Sequence, residues 1–233
     1  MLIDVREYID GSGKSPFSKW LRGLNVHAAA KVTTALERIA DGNLSTVKPV
    51  GSGVLEYKID FGPGYRIYFG RDGNRLVILL GGGTKKHQRP TWKPPRRIGP
   101  TTSDADNRRR PAMALTKDFR ETIRDRAQQE PAFRKALLRE AIELMLSGDE
   151  KTGRAILRNY INATVGFPQL EQATAIPATS LMRMFGPNGN PSARNLFRVL
   201  AHLQSQEGVS FELRPQRRST LRLGRRQHII VLY

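Results

Sequence analysis

Residues 53–83, GVLEYKIDFGPGYRIYFGRDGNRLVILLGGG, decide the fold of the first half of this chain. Val54, Tyr57, Ile59 and Phe61 lead into Gly62-Pro63-Gly64, and Tyr65-Arg66-Ile67-Tyr68 follow that turn. Asp72-Gly73-Asn74 then breaks the pattern before the apolar run from Leu76 to Leu80. Both breaks hold residues that tolerate positive φ, so the stretch predicts three strands in a meander. Lys58 and Arg66 each sit on one of the first two strands, among aromatic residues. Cations held rigidly beside aromatic rings can grip a ribose-phosphate backbone and its base together. The same pattern also suits exposed cations on a half-buried sheet.

Upstream, Leu2–Ile9 is rich in β-formers and predicts a first strand. Ser15-Pro16 offers a helix N-cap followed by proline at the first helical position. Phe17, Trp20, Leu21 and Leu24 have the spacing of one helix face, and Val26–Ala40 carries a longer apolar stripe ended by Gly42. The order β-α-α-β-β-β predicts an α+β domain, a small antiparallel sheet with a helical hairpin on one side.

Downstream, residues 85–112 hold five prolines and several arginines without apolar periodicity, the signature of an extended linker. Beyond it the pattern is helical: Thr116–Gln129, Pro131–Leu146 and Asp149–Ala163, then three shorter helices between 166 and 206. Val209, Phe211 and Leu213 alternate as a short strand would. Residues 214–233 form a basic tail. The expected organisation is an α+β domain over 1–84, a linker over 85–112, an all-α domain over 113–213 and the tail.

Within the helical half, Pro168–Thr174, a turn at Ala175-Ile176-Pro177, and Ala178–Phe185 make a helix-turn-helix pattern. Leu170, Ala173, Ile176, Leu181 and Phe185 would close its small core. Thr179, Ser180 and Arg183 would then face outward, the small polar residues at the start of the second helix and the arginine a turn later, as suits major-groove entry. Gln169, Asn188 and Asn190 are placed to reach phosphates. An ordinary corner between two packed helices has the same spacing. Ala175 stands where glycine is favoured if φ is positive.

The formal net charge is +18, but it is concentrated. Residues 85–110 hold nine basic residues against two acidic, and 214–233 hold six against none. Much of the polyanion signal therefore belongs to linker and tail rather than to the folded parts. With no cysteine, disulfides and thiolate metal sites are excluded, and the four histidines show no ligand spacing. No apolar run is long enough for a membrane helix and the first ten residues do not read as a signal peptide, so a cytoplasmic protein without a metal or other cofactor is expected.

Taken together, FSKWLRGL, VKPVGSGVLEYKIDFGPGYRIYF and LVILLGGGTKK resemble the RelE/ParE superfamily of toxins, in its HigB-like, phage-type addiction-module branch. MALTKDF, AILRNYINATVGF and SLMRMFGPNGNPSARNLFRVLAHLQ resemble the HigA-like helix-turn-helix antitoxins of the same modules. The resemblance implies a toxin–antitoxin fusion. Its first half would be a metal-independent endoribonuclease acting on mRNA at the ribosome. Its second half would dock on the first within one chain and bind operator DNA as a homodimeric autorepressor. Arg66 matches the family's strand arginine, which stabilises the developing phosphorane charge, and Lys58 matches one strand lysine. Asp60 stands where a second lysine is expected. The family's C-terminal catalytic tyrosine has no counterpart, and Tyr68, Lys86 and His87 are the residues available to replace it. Two other outcomes fit these departures: a catalytically inactive fusion that only represses transcription, or a gyrase poison of the ParE type.

Overall fold

The computed structural model describes residues 3–72, 76–84 and 116–212. They form two compact units, residues 1–126 and 127–233, and each is described by itself. The expected linker and the basic tail lie outside the described residues. The coarse expectation holds: an α+β part is followed by helices.

In the first unit the elements are β1 (Asp4–Tyr8), α1 (Pro16–Arg22), α2 (Val26–Ala40), β2 (Val47–Gly51), β3 (Val54–Ile59), β4 (Tyr65–Asp72), β5 (Leu76–Thr84), β6 (Thr116–Asp118) and most of α3 (Phe119–Gln129). Local chemistry sets the helix starts. Ser15 Oγ accepts from the Ser18 N–H, with Pro16 at the first helical position. Asn25 Oδ1 accepts from the Ala28 N–H. Each satisfies a backbone donor that the first helical turn leaves orphaned.

The sheet order is β2-β3-β4-β5-β1-β6. β2 through β5 is an antiparallel meander, but β1 pairs parallel with β5, Val5 opposite Val77 and Glu7 opposite Leu79. The sheet is therefore mixed rather than purely antiparallel. The chain leaves β1 through two helices and returns at the far side of the meander, so β5 is the edge that β1 meets. A crossover through helices frees the strand direction in a way that a hairpin does not.

Two strands exceed the expectation. β2 contains Pro49 and is an edge strand, where a missing N–H costs least. β6 begins at Thr116, where a helix was expected. Its residues pair with β1 instead, Lys117 opposite Glu7 and Asp118 opposite Arg6, and the helix starts only at Phe119. The Asp118 carboxylate accepts from the Arg120 N–H and starts that helix.

The core of this unit lies between the helices and one sheet face, with Val5, Phe17, Leu21, Leu36, Ile39, Ile67, Phe69 and Leu79 fully buried. Trp20 of α1 stacks beside Phe17 at 5.7 Å between ring centroids and covers the backbone of Gly82 in β5.

The second unit contains α4 (Pro131–Leu146), α5 (Glu150–Ala163), α6 (Gly166–Thr174), α7 (Ala178–Met184) and α8 (Ala193–Glu207). Phe133, Leu137, Leu138, Ile156, Leu157, Tyr160 and Leu203 are fully buried among them. One buried polar knot ties three helices: Glu207 Oε1 accepts from Tyr160 Oη at 2.6 Å and from Arg134 Nε at 2.7 Å. The strand expected at Val209–Leu213 does not form among the described residues. The Phe211 N–H is taken instead by the Gln204 side chain at 3.0 Å.

A Cβ at Gly82 would overlap the Trp20 ring. Gly82→Ala is therefore expected to cost about 1–3 kcal/mol, the usual range for overpacking. A lowered melting temperature with altered Trp20 emission checks this; an unchanged melt would refute it.

Candidate functional site

The meander brings the three described residues of the expected catalytic set close together. Lys58 lies directly opposite Arg66 across β3 and β4, and Tyr68 lies opposite Glu56. Directly opposed residues share a sheet face. A β-bulge falls between Tyr68 and Phe69, and such irregularities re-aim side chains. Lys86 and His87 lie outside the described residues.

Neither cation is free. Arg66 is buried, and its Nε lies 3.0 Å from Glu56 Oε1. The approach is poorly aligned, so Arg66 Nε and Nη1 are close to a carboxylate without a hydrogen bond among the described residues. Lys58 Nζ sits 2.6 Å from Asp60, and both side chains are exposed. Asp60 thus neutralises Lys58 rather than offering a second phosphate contact. Glu56 carried no signal of its own in the sequence; only the strand register shows that it faces this cluster.

Tyr68 is buried, and its hydroxyl has no hydrogen-bond partner among the described residues. Burial first, and then the Glu56 carboxylate, push its phenol above the ordinary value, while Arg66 works the other way. Glu56 is near enough to bias the phenol but is not aligned to accept its proton. At neutral pH Tyr68 is therefore a proton-bearing donor and not a base.

Beside this cluster opens a cleft of about 1220 Å³. It runs from the turn between β2 and β3 past Tyr68 and Gly81 to the β1–α1 loop and α1. Trp20, Lys14, Lys19, Arg22 and Lys117 line it. None of these five was expected to be functional, because α1 reads from the sequence only as a packing helix.

Residues 116–126 are bound to the rest of the first unit by more than the β6 pairing. Arg120 grips buried Glu37 with two hydrogen bonds, 3.0 and 2.8 Å. Thr122 Oγ1 lies 2.8 Å from Ser18 Oγ, which in turn donates to buried Glu7 at 2.6 Å. Arg126 donates to the carbonyls of Leu21 at 2.6 Å and Leu24 at 2.8 Å, just where α1 ends. A cation at a helix C-terminus opposes the helix dipole.

In the second unit the helix-turn-helix positions fall on α6 and α7. Leu170, Ile176, Leu181 and Phe185 are buried. Ala173 is exposed, and Thr174 takes the inward place, its hydroxyl bonded to the Leu170 carbonyl at 2.6 Å. Ala175 does adopt the left-handed conformation, φ 53°, a strained state for a residue with a Cβ. Gln169, Thr179, Arg183, Asn188 and Asn190 are exposed and Ser180 is half-buried, with Thr179 and Ser180 in the first turn of α7 and Arg183 in its last turn.

No family model matches the chain. An uncharacterized protein of Haemophilus influenzae (strain ATCC 51907 / DSM 11121 / KW20 / Rd) is 42% identical over 73 residues, 31% of this chain and 74% of that protein. The chain belongs to that protein's family. The match covers under a third of the present chain, so it speaks for one portion and not for the two-unit whole. No solved structure matches. No described helix is long and apolar enough to cross a membrane. Among the described residues, no three or more acidic or histidine side chains group as metal ligands would.

Tyr160 is also raised, by burial and then by Glu207. Unfolded tyrosines titrate near about 10, and these two hold their protons longer when folded. Their stabilising contribution is complete below that pH and is lost as pH rises through the higher folded values. Alkaline spectrophotometric titration should show two of the six tyrosines ionising late, together with unfolding. Tyr68→Phe should remove one late step; six ordinary titrations would overturn the assignment.

Proposed function

We propose that this chain is a toxin–antitoxin fusion held in its neutralised state. The observation that carries this reading is the docking of residues 116–126. They begin the half that resembles an antitoxin, yet they complete the sheet of the unit that resembles a toxin. Strand addition at an exposed sheet edge supplies affinity through the main chain. Charge-assisted hydrogen bonds of the kind made by Arg120 and Arg126 each add about 1.5–3 kcal/mol. Tethering keeps the inhibitor at high effective concentration.

In this reading the first unit cleaves mRNA by attack of a ribose 2′-OH on the adjacent phosphate. Arg66 stabilises the developing charge once substrate draws it from Glu56, and Tyr68 donates a hydrogen bond to the phosphorane or the leaving oxygen. The second unit binds operator DNA as a homodimer, with Thr179, Ser180 and Arg183 at the base edges and Gln169, Asn188 and Asn190 at phosphates. A second reading is favoured by the compensated cations: with Arg66 held by Glu56 and Lys58 by Asp60, the first unit would be silent and the chain a repressor alone.

Full-length protein carrying Arg120→Glu and Arg126→Glu separates the two readings. Induced in a bacterium, it should arrest growth and fragment mRNA where the unaltered chain does not. Adding Arg66→Ala should abolish the arrest. Arrest that persists with intact mRNA and damaged DNA would point to gyrase instead, and no arrest from a variant that still melts cooperatively would leave the repressor.

DNA upstream of the protein's own gene should be protected by the full chain in footprinting. Arg183→Ala should weaken that binding by about 1–3 kcal/mol, the cost of a lost base contact. Equal protection of unrelated DNA would show that linker and tail charges alone are responsible.

A further inference from the structure

The cleft lined by α1 and the β1–α1 loop has features that the Arg66 cluster lacks. Lys19, Arg22 and Lys117 have no ion-pair partner among the described residues. Among the described residues Asp10 is the one acid lining the cleft, and its Oδ1 accepts from the N–H groups of Ser12 and Lys14 and from the Ser12 hydroxyl. One carboxylate against Lys14, Lys19, Arg22 and Lys117 leaves the described lining net positive, and Lys19, Arg22 and Lys117 are not paired as Lys58 and Arg66 are. Trp20 is half-exposed at the cleft while braced by Phe17 and Gly82, a fixed aromatic platform. Tyr68 adds a buried hydroxyl with no partner. A Cβ on Gly81 would meet nothing within 4 Å, so no packing within the protein demands glycine there. A glycine in a strand with no such demand suits close approach by another molecule's backbone.

We propose that this cleft is a binding groove for single-stranded nucleic acid. Lys19, Arg22 and Lys117 would contact the phosphates, Trp20 would stack a base, and Tyr68 would hydrogen-bond to the strand. Size decides against a single small metabolite: about 1220 Å³ exceeds the roughly 300–1,000 Å³ of a typical small-molecule pocket. Unpaired cations with a stacking ring are the means by which proteins hold single strands without reading sequence. Lys117 belongs to β6, so the groove is complete only while residues 116–126 are docked. Ligand and docked segment then strengthen one another, since binding couplings are reciprocal. This goes beyond the toxin reading, because the groove belongs to the docked, neutralised chain, and binding is measured without turnover. A failed growth-arrest test leaves the groove standing, and a failed binding test leaves the arrest reading standing.

The test uses the full chain with Trp92→Phe, which leaves Trp20 as the reporter, titrated with about ten-nucleotide oligo(U), oligo(dT) and inorganic polyphosphate. Both oligonucleotides should quench Trp20, and any preference between them identifies the sugar. Replacing Lys19, Arg22 and Lys117 together by Ala should flatten the salt dependence by about 2 in log–log slope, about 0.7 per cation for single strands. Gly81→Leu should weaken binding with the charges intact. An unquenched Trp20 at saturation, or an unchanged slope in the triple variant, would place the strand on other basic segments and overturn the groove. Equal quenching by polyphosphate would overturn the base-stacking assignment and with it the ligand class.

Discussion

The first unit depends on the covering of β1. This five-residue strand carries fully buried Val5 and Glu7 into the core and pairs parallel with β5 on one side. Its other side would be an open edge, with unpaired N–H and C=O groups ready for any passing strand. β6 closes it. The chain that does so comes from more than thirty positions beyond β5, so the stability of the α+β unit is tied to a segment that periodicity alone assigns elsewhere. Arg126 makes the tie specific, because its two hydrogen bonds end on the Leu21 and Leu24 carbonyls at and just beyond the end of α1. Glu7, Ser18 and Thr122 add a buried polar contact that only this docking completes.

Compensation of charge separates the two surfaces of that unit. On the meander Arg66 and Lys58 each have a carboxylate within salt-bridge distance, Arg66 in a buried pair and Lys58 in an exposed one. A phosphate would have to displace Glu56 or Asp60 before either cation could act on it. In the neighbouring cleft Asp10, the one acid among the described lining residues, is hydrogen-bonded within its own loop, and Lys19, Arg22 and Lys117 have no ion-pair partner among the described residues. The same net charge in a sequence can thus be inert or available, according to where the carboxylates fall.

In the helical unit the strain at Ala175 buys a tight turn between α6 and α7. A left-handed residue with a Cβ is costly, and the burial of Leu170, Ile176, Leu181 and Phe185 around it supplies the opposing stabilisation. The result leaves Thr179 and Arg183 exposed at the two ends of α7, four residues apart, with no partner of their own among the described residues.

The sequence by itself determined the local elements. Turn glycines, the Ser15 cap with Pro16 behind it, and the apolar stripes of 26–40 and 131–146 each depend on neighbours a few residues away. They were legible for that reason, and the observed bounds of both long helices coincide with the stripes. The helix-turn-helix spacing was readable on the same basis, apart from the exchange of Ala173 for Thr174. Tertiary structure alone decided the parallel pairing of β1, the strand at Thr116–Asp118, the Glu56 counter-ion of Arg66 and the cleft beside Trp20. Each joins residues separated by strand register or by long stretches of chain, and no local periodicity encodes which distant edge, carboxylate or cation will be the partner.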